Sequence, residues 1–249
     1  MNRIISIKVA KQTGLEPVNY QVWLDFDGTI TRQDVIDELL QRYSINDSWK
    51  AVEQRWQAGL IGSRQCLEKQ LDLIRILQEE LDNFLNGIEL DTSFFSLLSL
   101  LSEFEVPVAI LSDSIDVFIR HILQRHGMQD IPIRSNTMVR HGLGIELCCP
   151  YGDQKCDCGA AHCKCASIRA IGDPKRKSIY IGDGLSDLCP AGKADLVFAR
   201  GALAQCLEKN SLKFFRYSNL NEVAEILRDV WSGREFAARP QASARTMAK

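Results

Sequence analysis

One stretch decides the fold of this chain: Val22-Trp23-Leu24-Asp25-Phe26-Asp27-Gly28-Thr29-Ile30-Thr31. A short apolar run ends there in two carboxylates two residues apart, and a glycine and hydroxyl residues follow. The apolar run is too short for a helix and predicts a buried parallel strand, on which side chains two apart share a face. Because open α/β sheets place ligands at the carboxyl ends of their strands, we expect Asp25 and Asp27 to lie together at such an end.

Two carboxylates at one strand end repel each other and need a cation. Mg²⁺ is the natural candidate, because it is a hard ion that takes carboxylate, carbonyl and phosphate oxygens. Gly28 lets the backbone turn close to a ligand, and its amide, together with Thr29, can face an anion. The alternative for the same residues is a surface turn at Asp27-Gly28, with Asp25 as an incidental acid at the strand end.

The composition is that of an ordinary globular protein. The chain has 249 residues, of which 45% are hydrophobic and 25% charged, which suits one large domain or a domain with a modest insertion. A net charge of −2 argues against a nucleic-acid partner. No apolar run approaches the roughly 20 residues of a membrane span, and residues 1–10 do not form a signal peptide. We therefore expect a cytoplasmic protein whose nine cysteines are mostly reduced.

Strand and helix patterns alternate along the chain and predict a Rossmann-like parallel sheet with helices on both faces. Beyond the first strand, buried strands are predicted at 106–111, 178–181, 196–199 and 213–217, and a hairpin at 131–147. Between the first two strands the pattern is helical throughout, which predicts a small helical cap inserted after the first strand, a candidate lid. In that cap, Thr31-Arg32-Gln33-Asp34 resembles a capping box, and Ser63 is expected to cap a helix that carries Leu67, Leu71, Ile74 and Leu77.

These patterns predict five parts of the chain. They are an N-terminal arm (1–20), a catalytic core (21–32 and 89–231), a Cys-rich loop within the core (148–165), the helical cap (33–88) and a disordered tail (232–249).

Two later strand ends carry polar motifs as well. Ser112-Asp113-Ser114 follows the second predicted strand, and Gly182-Asp183-Gly184-Leu185-Ser186-Asp187 follows the strand at 178–181. The ends of parallel strands lie side by side, so we expect these motifs to converge with the Asp25 motif.

With these motifs the chain resembles the phosphatases of the haloacid dehalogenase superfamily over nearly all of residues 21–231. The resemblance implies that Asp25 attacks phosphorus and becomes an aspartyl-phosphate, and that Asp27 protonates the leaving oxygen and then activates water. It implies Mg²⁺ as cofactor, held by acidic residues: Asp25, Asp27 through its backbone carbonyl, Asp183, and Asp187 in support. It implies phosphate-binding residues of mostly polar type: Gly28, Thr29, Ser112, Asp113 and a lysine ahead of Asp183.

Three lysines precede Asp183 closely enough to be the phosphate-binding lysine that the resemblance implies. Lys175 and Lys177 lie in a polar turn directly before a strand, where a solvated loop is the simpler interpretation. Lys164 precedes a segment that can form a short helix, from whose start an ammonium can point at a phosphate. We therefore predict Lys164 as the catalytic, phosphate-binding lysine.

The Cys-rich loop has the character of a metal site. A Cys-x-Cys pair is followed by a second one, and the candidate zinc ligands are Cys148, Cys149, Cys156, Cys158, Cys163 and Cys165. One hypothesis is a structural Zn²⁺ that holds Lys164 between two ligands. The other is a loop whose thiols are reduced or partly joined as disulfides.

The position of this loop narrows the resemblance to the bacterial 2-hydroxy-3-keto-5-methylthiopentenyl-1-phosphate phosphatases of methionine salvage, siblings of the phosphoserine phosphatases. The latter use an acid soon after the first motif to bind the substrate amino group, and Asp34 has that position, although it is equally suited to cap a helix. They also use a cap arginine for the substrate carboxylate, and Gln70 stands there, which weakens the phosphoserine assignment.

The expected function is Mg²⁺-dependent hydrolysis of a small-molecule phosphate ester by a monomer or homodimer without a membrane partner. The methionine-salvage compound is the first candidate substrate, and phosphoserine or another small phosphate is the alternative. A phosphomutase uses the same aspartyl-phosphate and is a second hypothesis. A non-catalytic zinc-binding module is a third, which the complete set of expected catalytic residues disfavours.

Overall fold

The computed structural model describes residues 16–152, 156 and 158–232. The predicted arm at 1–20 and tail at 232–249 lie outside the described residues, except for 16–20 and Ser232. Within the described part, the strands are β1 (Tyr20–Leu24), β2 (Val108–Ile115), β3 (Ile133–His141), β4 (Gly144–Cys148), β5 (Lys177–Gly182), β6 (Leu196–Ala199) and β7 (Phe215–Arg216).

These strands form one sheet in the order β4-β3-β2-β1-β5-β6-β7. All neighbours pair in parallel except β3 and β4, which form the antiparallel hairpin predicted near 131–147. The chain leaves β1 toward β2 on one side and returns later to β5 on the other. The strand order therefore reverses at β1, and the crevice beyond its carboxyl end is where a sheet of this type binds ligands.

The helices of the described part alternate with the strands. They are α1 (Val35–Tyr43), α2 (Ser48–Gln57), α3 (Ser63–Leu71), α4 (Gln78–Asn86), α5 (Ser93–Glu103), α6 (Asp116–Gln124), α7 (Lys164–Ile171), α8 (Leu188–Ala191), α9 (Gly201–Lys209) and α10 (Leu220–Trp231).

Apolar cores cover both faces of the sheet, because side chains alternate along each strand. All five residues of β1 are buried. Val22 and Leu24 join the larger cluster, whereas Trp23 joins a smaller one with Leu111 and Tyr180. Burying a side chain of this size contributes about 1.5–3 kcal/mol to folding, so the central strand is firmly held. The predicted α/β class with a parallel sheet is confirmed.

Helices α1 to α4 form the segment between β1 and α5, but two of the predicted helix starts are wrong. Asp34, not Thr31, is the N-cap of α1. The hydroxyl of Thr31 instead donates to the carbonyl oxygens of Phe26 and Gln33. Ser63 does not cap α3 but is its first residue, after the N-cap Gly62.

The helix α3 also ends earlier than its apolar pattern predicts. It stops at Leu71. Ile74 pairs with Ser44 in an isolated bridge, and Leu77 is the N-cap of α4. No helix of the described residues is long and apolar enough to cross a membrane.

Candidate active site

Asp25 lies directly after β1 and is nearly buried. Its amide donates to the carbonyl oxygen of Ile181 on the neighbouring strand at 2.9 Å, and the residue is only 5% exposed. Its Oδ1 accepts a hydrogen bond from Lys164 Nζ at 2.6 Å. Burial, with the neighbouring charge of Asp187 in addition, raises the pKa of Asp25, and Lys164 acts in the opposite direction. A buried acid beside a lysine is an ionic pair at the end of the central strand.

Asp27 makes its side-chain contacts with the start of α1 and with β2. Its Oδ1 accepts from the Val35 amide at 2.9 Å, and its Oδ2 accepts from the Ser112 hydroxyl at 3.3 Å. Burial, followed by the charge of Asp34, raises the pKa of Asp27 to about 8. A carboxyl group of that pKa carries its proton at neutral pH and can donate it.

Gly28 has a conformation and an environment that suit no other residue. Its φ is +69°, and a Cβ atom at this position would lie 2.5 Å from Asp183 Oδ2. The next residue, Thr29, donates through its hydroxyl to Asp183 Oδ1 at 2.7 Å. The turn after β1 is therefore fitted to the carboxylate of Asp183, which follows the end of β5.

Asp187 fixes the loop after β5 by accepting hydrogen bonds from the backbone of that loop. Its Oδ2 accepts from the amides of Asp183 and Gly184, both at 3.0 Å. Its Oδ1 accepts from Lys164 Nζ at 2.6 Å and from the Tyr180 hydroxyl at 2.5 Å. Each oxygen of Asp187 thus accepts two hydrogen bonds, and the residue holds the loop that presents Asp183.

Lys164 is the lysine that the structure brings to these carboxylates. Its side chain is 1% exposed and lies between Asp25 and Asp187. Burial acts to lower its pKa, but the two carboxylates outweigh burial and raise it, so the ammonium stays charged. Lys175 and Lys177 are exposed, and Lys177 begins β5 at the opposite end from Asp183.

The acidic residues at this edge fit a divalent cation. Oxygen atoms of Asp25, Asp183 and Asp187 lie within 4.8 Å of one another. Burial, with Asp187 in addition, raises the pKa of Asp183 to about 6, as expected for acids that share a site without a counter-ion. Carboxylate oxygens are ligands that Mg²⁺ prefers. The side chain of Asp27 is not in this group, so any contact of Asp27 with a metal falls to its backbone.

Ser112 and Asp113 lie beside the same crevice but differ in their contacts. The Ser112 hydroxyl accepts from the Ser114 amide at 3.0 Å while it donates to Asp27. The Asp113 carboxylate accepts from the Ser63 hydroxyl at 2.7 Å and from the His162 amide at 2.9 Å. Burial raises the pKa of the Asp113 carboxyl group, and Lys164 acts in the opposite direction. The Asp113 carboxylate thus joins the start of α3 to the loop before α7, and its part in phosphate binding stays a prediction.

A pocket lies between the strand ends and the helical segment. Its lower part is formed by Asp25, Asp27, Ser112, Asp113, Ser114, Asp183, Gly184 and Ser186. Its upper part is formed by Asp34, Ile36, Asp37, Glu53, Trp56, Ser63, Cys66, Leu67 and Gln70. No lysine or arginine is among these described lining residues.

The two cap residues singled out from the sequence both reach this pocket. Asp34 caps α1, since its Oδ1 accepts from the amides of Ile36 and Asp37 at 2.9 and 3.0 Å, and it also lines the pocket. Gln70 is 2% exposed, and its amide donates to Glu53 Oε2 at 3.0 Å. The position where the resemblance expects an arginine therefore orients an acid instead.

Four residues have positioning roles that the sequence analysis did not assign: Tyr180, Arg200, His162 and Ser63. Arg200 donates from Nε to the Gly28 carbonyl oxygen at 3.0 Å, and its Nη2 bonds the same oxygen. Burial lowers the pKa of His162 to about 4, so its neutral ring donates from Nδ1 to the Ser112 carbonyl and accepts at Nε2 from Ser167. The sequence did not mark these roles, because the partners Gly28, Ser112 and Asp113 lie 50 or more residues away from Arg200, His162 and Ser63.

The predicted zinc ligands are only partly brought together. Sulfur atoms of Cys156, Cys158 and Cys189 lie within 4.8 Å of one another. Cys148, Cys149, Cys163 and Cys165 are not in this group of the described residues, so their assignment as zinc ligands stays a prediction. Cys148 ends β4, where backbone pairing with β3 fixes its position, and Cys149 faces Arg64.

Comparisons with known proteins agree with this geometry. Residues 20–219 match the family described as "Putative Phosphatase". A protein of Brevibacillus brevis (strain 47 / JCM 6285 / NBRC 100599), named 2-hydroxy-3-keto-5-methylthiopentenyl-1-phosphate phosphatase, is 28% identical over 212 residues, which cover 84% of this chain and 95% of that protein.

Two solved structures share the fold. Phosphoserine phosphatase from T. onnurineus superimposes with a TM-score of 0.62 at 14% identity, over 87% of this chain and 98% of that one. A structure described as a phospho-aspartyl intermediate analogue of phosphoserine phosphatase gives a TM-score of 0.60 at 18% identity, over 84% and 98% of the two chains. At these identities the similarity establishes the architecture.

Proposed function

This chain belongs to the family described as "Putative Phosphatase", and we propose that it hydrolyses small phosphomonoesters through a phosphorylated Asp25. The single observation that carries the proposal is the placement of Asp25. It is a buried carboxylate held by Lys164 at 2.6 Å, beside Asp183 and Asp187, at the point where the strand order reverses. A carboxylate so placed is positioned to attack phosphorus.

In the first step a carboxylate oxygen of Asp25 forms a bond to phosphorus, and the bond from phosphorus to the ester oxygen breaks. The Asp27 carboxyl group, whose pKa burial raises to about 8, gives its proton to the leaving oxygen. In the second step water attacks phosphorus, Asp27 accepts a proton from it, and Asp25 leaves as a carboxylate. The balance is one ester and one water giving one alcohol and one phosphate.

The remaining residues hold and neutralise charge. Lys164 offsets the negative charge that gathers when a phosphate approaches Asp25 and Asp187. At about 4 Å, each like-charge pair costs about 4 kcal/mol at an effective dielectric near 20, so an unneutralised site would exclude its substrate. Ser112, Gly28 and Thr29 would donate to phosphate oxygens, for which the two amides would exchange their present acceptors, Thr31 Oγ1 and the Phe26 carbonyl oxygen.

Asp25 and Asp183 would hold Mg²⁺, and Asp187 would fix the loop of Asp183 through the hydrogen bonds that it accepts from the Asp183 and Gly184 amides. When bound, the ion neutralises charge on the transferring phosphoryl group.

For the substrate we propose first the compound in the name of the Brevibacillus brevis relative, 2-hydroxy-3-keto-5-methylthiopentenyl-1-phosphate. Ile36, Trp56 and Leu67 line the upper pocket and offer apolar surface to a thioether chain. The absence of lysine and arginine from the described lining residues disfavours phosphoserine, whose carboxylate would be left without a cation.

A second candidate substrate follows from the charge of the upper pocket. Asp34, Asp37 and Glu53 line it together. Burial, together with the charges of Asp34 and Glu53, raises the pKa of Asp37 to about 7, which is the mark of acids gathered without a cation. An aminoalkyl phosphate would bring that cation, and its ammonium group could also lie against the ring of Trp56.

The test is phosphate release from a panel that contains the methylthiopentenyl phosphate, phosphoserine, an aminoalkyl phosphate such as O-phosphoethanolamine, and a sugar phosphate. We expect Mg²⁺-dependent release, with phosphoserine the poorest of the first three. The matched control is Asp25→Asn, which keeps the side-chain size and should lose at least about 10³-fold in kcat. Isomerised sugar phosphate without release would establish a mutase instead. Turnover by Asp25→Asn near that of the wild type would refute the covalent mechanism.

A further inference from the structure

A group of thiols outside the catalytic crevice has no task in the proposed reaction. Cys156 and Cys158 come from the loop after β4, Cys165 from α7, and Cys189 from α8. The Sγ atoms of Cys156, Cys158 and Cys189 lie within 4.8 Å of one another, and that of Cys165 lies 3.0 Å from Cys189 Sγ. Three separate segments of the chain thus bring three sulfur atoms together, with the sulfur of Cys165 beside one of them.

Two of the sulfur–sulfur distances can be compared with those of a tetrahedral thiolate site. With Zn–S bonds of about 2.3 Å, the sulfur atoms of such a site are about 3.8 Å apart. Cys156 and Cys189 are 3.9 Å apart, and Cys165 needs to move from Cys189 by less than 1 Å to reach the same separation. Thiol groups are weak hydrogen-bond partners, so mutual hydrogen bonding alone is a poor reason to gather four of them.

We propose that Cys156, Cys158, Cys165 and Cys189 bind one Zn²⁺ ion as a structural tetrathiolate site. Thiolate sulfur selects Zn²⁺ over the Mg²⁺ expected at the carboxylates, because Mg²⁺ prefers oxygen. On binding, four thiols lose their protons, and one Zn²⁺ with four thiolates forms a centre of charge −2. The exposed side chain of Lys193 hydrogen-bonds the Cys165 sulfur and is placed to offset part of that charge.

Cys163 is the competing candidate for the fourth ligand, because its sulfur also contacts the sulfur atoms of Cys156 and Cys158. Its sulfur accepts a hydrogen bond from the Ala166 amide at 3.4 Å, and Cys163 is thereby the N-cap of α7. Cys165, in contrast, points its sulfur at Cys189 and is 3% exposed. The ligand set therefore differs from any set within the Cys-rich loop, because it needs Cys189 from beyond β5.

The site would connect the two elements that carry the catalytic ion pair. Cys165 directly follows Lys164 in α7, and Cys189 lies two residues after Asp187. A Zn²⁺ bridging Cys165 and Cys189 would fix α7 against the start of α8, and with them the 2.6 Å contact between Lys164 and Asp187. The ion would stabilise the arrangement without touching the substrate.

The experiment measures the metal content of the full chain purified without chelators, by elemental analysis. We expect about one zinc per chain in the wild type and less than about 0.2 in Cys189→Ser. Cys206→Ser is the matched control, since Cys206 lies on α9 outside the thiol group, and it should keep its zinc. A chelator should lower the melting temperature of the wild type and of Cys206→Ser but not that of Cys189→Ser.

If Cys189→Ser does not fold, the wild type alone can still test the proposal. X-ray absorption at the zinc edge should show four sulfur neighbours at about 2.3 Å. Less than about 0.2 zinc per chain in the wild type would overturn the proposal, as would a Cys165–Cys189 disulfide. Nitrogen or oxygen neighbours, or full zinc content in a folded Cys189→Ser, would overturn the ligand set. None of these readouts depends on phosphatase activity.

Discussion

The protonation of Asp27 is the property of a single residue that most directly governs the proposed chemistry. Its carboxyl group must carry a proton when the ester bond breaks, and burial raises its pKa to about 8. As the pH rises through this value the acid is lost. We therefore expect kcat/KM to fall about tenfold per pH unit above about pH 8.

That pH dependence can be assigned to Asp27 by substitution. Asp27→Asn keeps the size of the side chain but has no proton to give, so it should lose about 10²–10⁴-fold in rate and the alkaline decline with it. The pH profile of phosphate release is the measurement. An unchanged decline in a residually active Asp27→Asn would assign the acid to another group.

Gly28 and Gly127 provide a matched test of the turn beside Asp183. Both have φ near +70°, but a Cβ atom at Gly28 would meet Asp183 Oδ2 at 2.5 Å, and one at Gly127 would meet nothing within 4 Å. Each substitution by alanine should cost about 1–2 kcal/mol of stability for the backbone conformation. Only Gly28→Ala should also lose activity, by at least about tenfold, because the carboxylate must move.

Denaturant unfolding and phosphate release separate the two effects. Equal activity losses in Gly28→Ala and Gly127→Ala would show that backbone strain, and not the close approach of Asp183, explains the glycine.

At the residue scale, the sequence predicted those site residues that directly follow a strand. Asp25 and Asp183 each follow an apolar run, and parallel strands bring such ends together, so their proximity could be predicted, whereas the side chain of Asp27 lies outside their group. The contact of Arg200 with the Gly28 carbonyl oxygen could not, because 172 residues separate the two and nothing near Arg200 marks it. The saturation of Asp187 by Tyr180 depends likewise on the path of the loop after β5.

At the scale of elements, the start of α7 decides which lysine enters the site. Lys164 is the first residue of this helix and lies buried between Asp25 and Asp187. Lys164→Ala should lower kcat by at least about 10²-fold and, since it leaves two buried carboxylates without their partner, cost about 3–5 kcal/mol of stability. Lys175→Ala removes an exposed lysine of the same chain. It should leave kcat nearly unchanged and should change the free energy of unfolding by no more than about 0.5 kcal/mol.

Phosphate release and denaturant unfolding of the two variants check this ranking. A larger loss of rate in Lys175→Ala would show that the lysine of the reaction lies in the turn before β5.

Helix starts were the least predictable features of the elements, for a shared physical reason. The hydroxyls of Thr31 and Ser63 both suit an N-cap, but each has a competing partner that only the folded chain supplies. Thr31 bonds the Phe26 carbonyl oxygen, and Ser63 bonds Asp113, 50 residues away. The strands were easier to locate, because a buried parallel strand is apolar along its whole length.

At the scale of the whole molecule, one polar network joins the helical segment to the core and to the Cys-rich loop. Ser63 at the start of α3 donates to Asp113 at 2.7 Å and accepts from the Ala161 amide at 3.1 Å. Asp113 accepts in turn from the His162 amide, and His162 bonds the Ser112 carbonyl oxygen. The upper part of the pocket, the end of β2 and the loop that leads to Lys164 are thereby connected through a few buried hydrogen bonds.

Removing the hydroxyl at the centre of this network tests the coupling. Ser63→Ala leaves the Ala161 amide and one oxygen of Asp113 without a partner, which should cost about 1–3 kcal/mol of stability. Because Ser63 lies where three segments meet, hydrogen exchange should become faster in α3 and at 161–163 together, while α10 on the far part of the fold keeps its protection. Ser48→Ala, at the exposed start of α2, is the control and should leave both regions unchanged. Faster exchange confined to α3 would mean that the helical segment moves independently of the loop, and that closing the pocket does not act on Lys164.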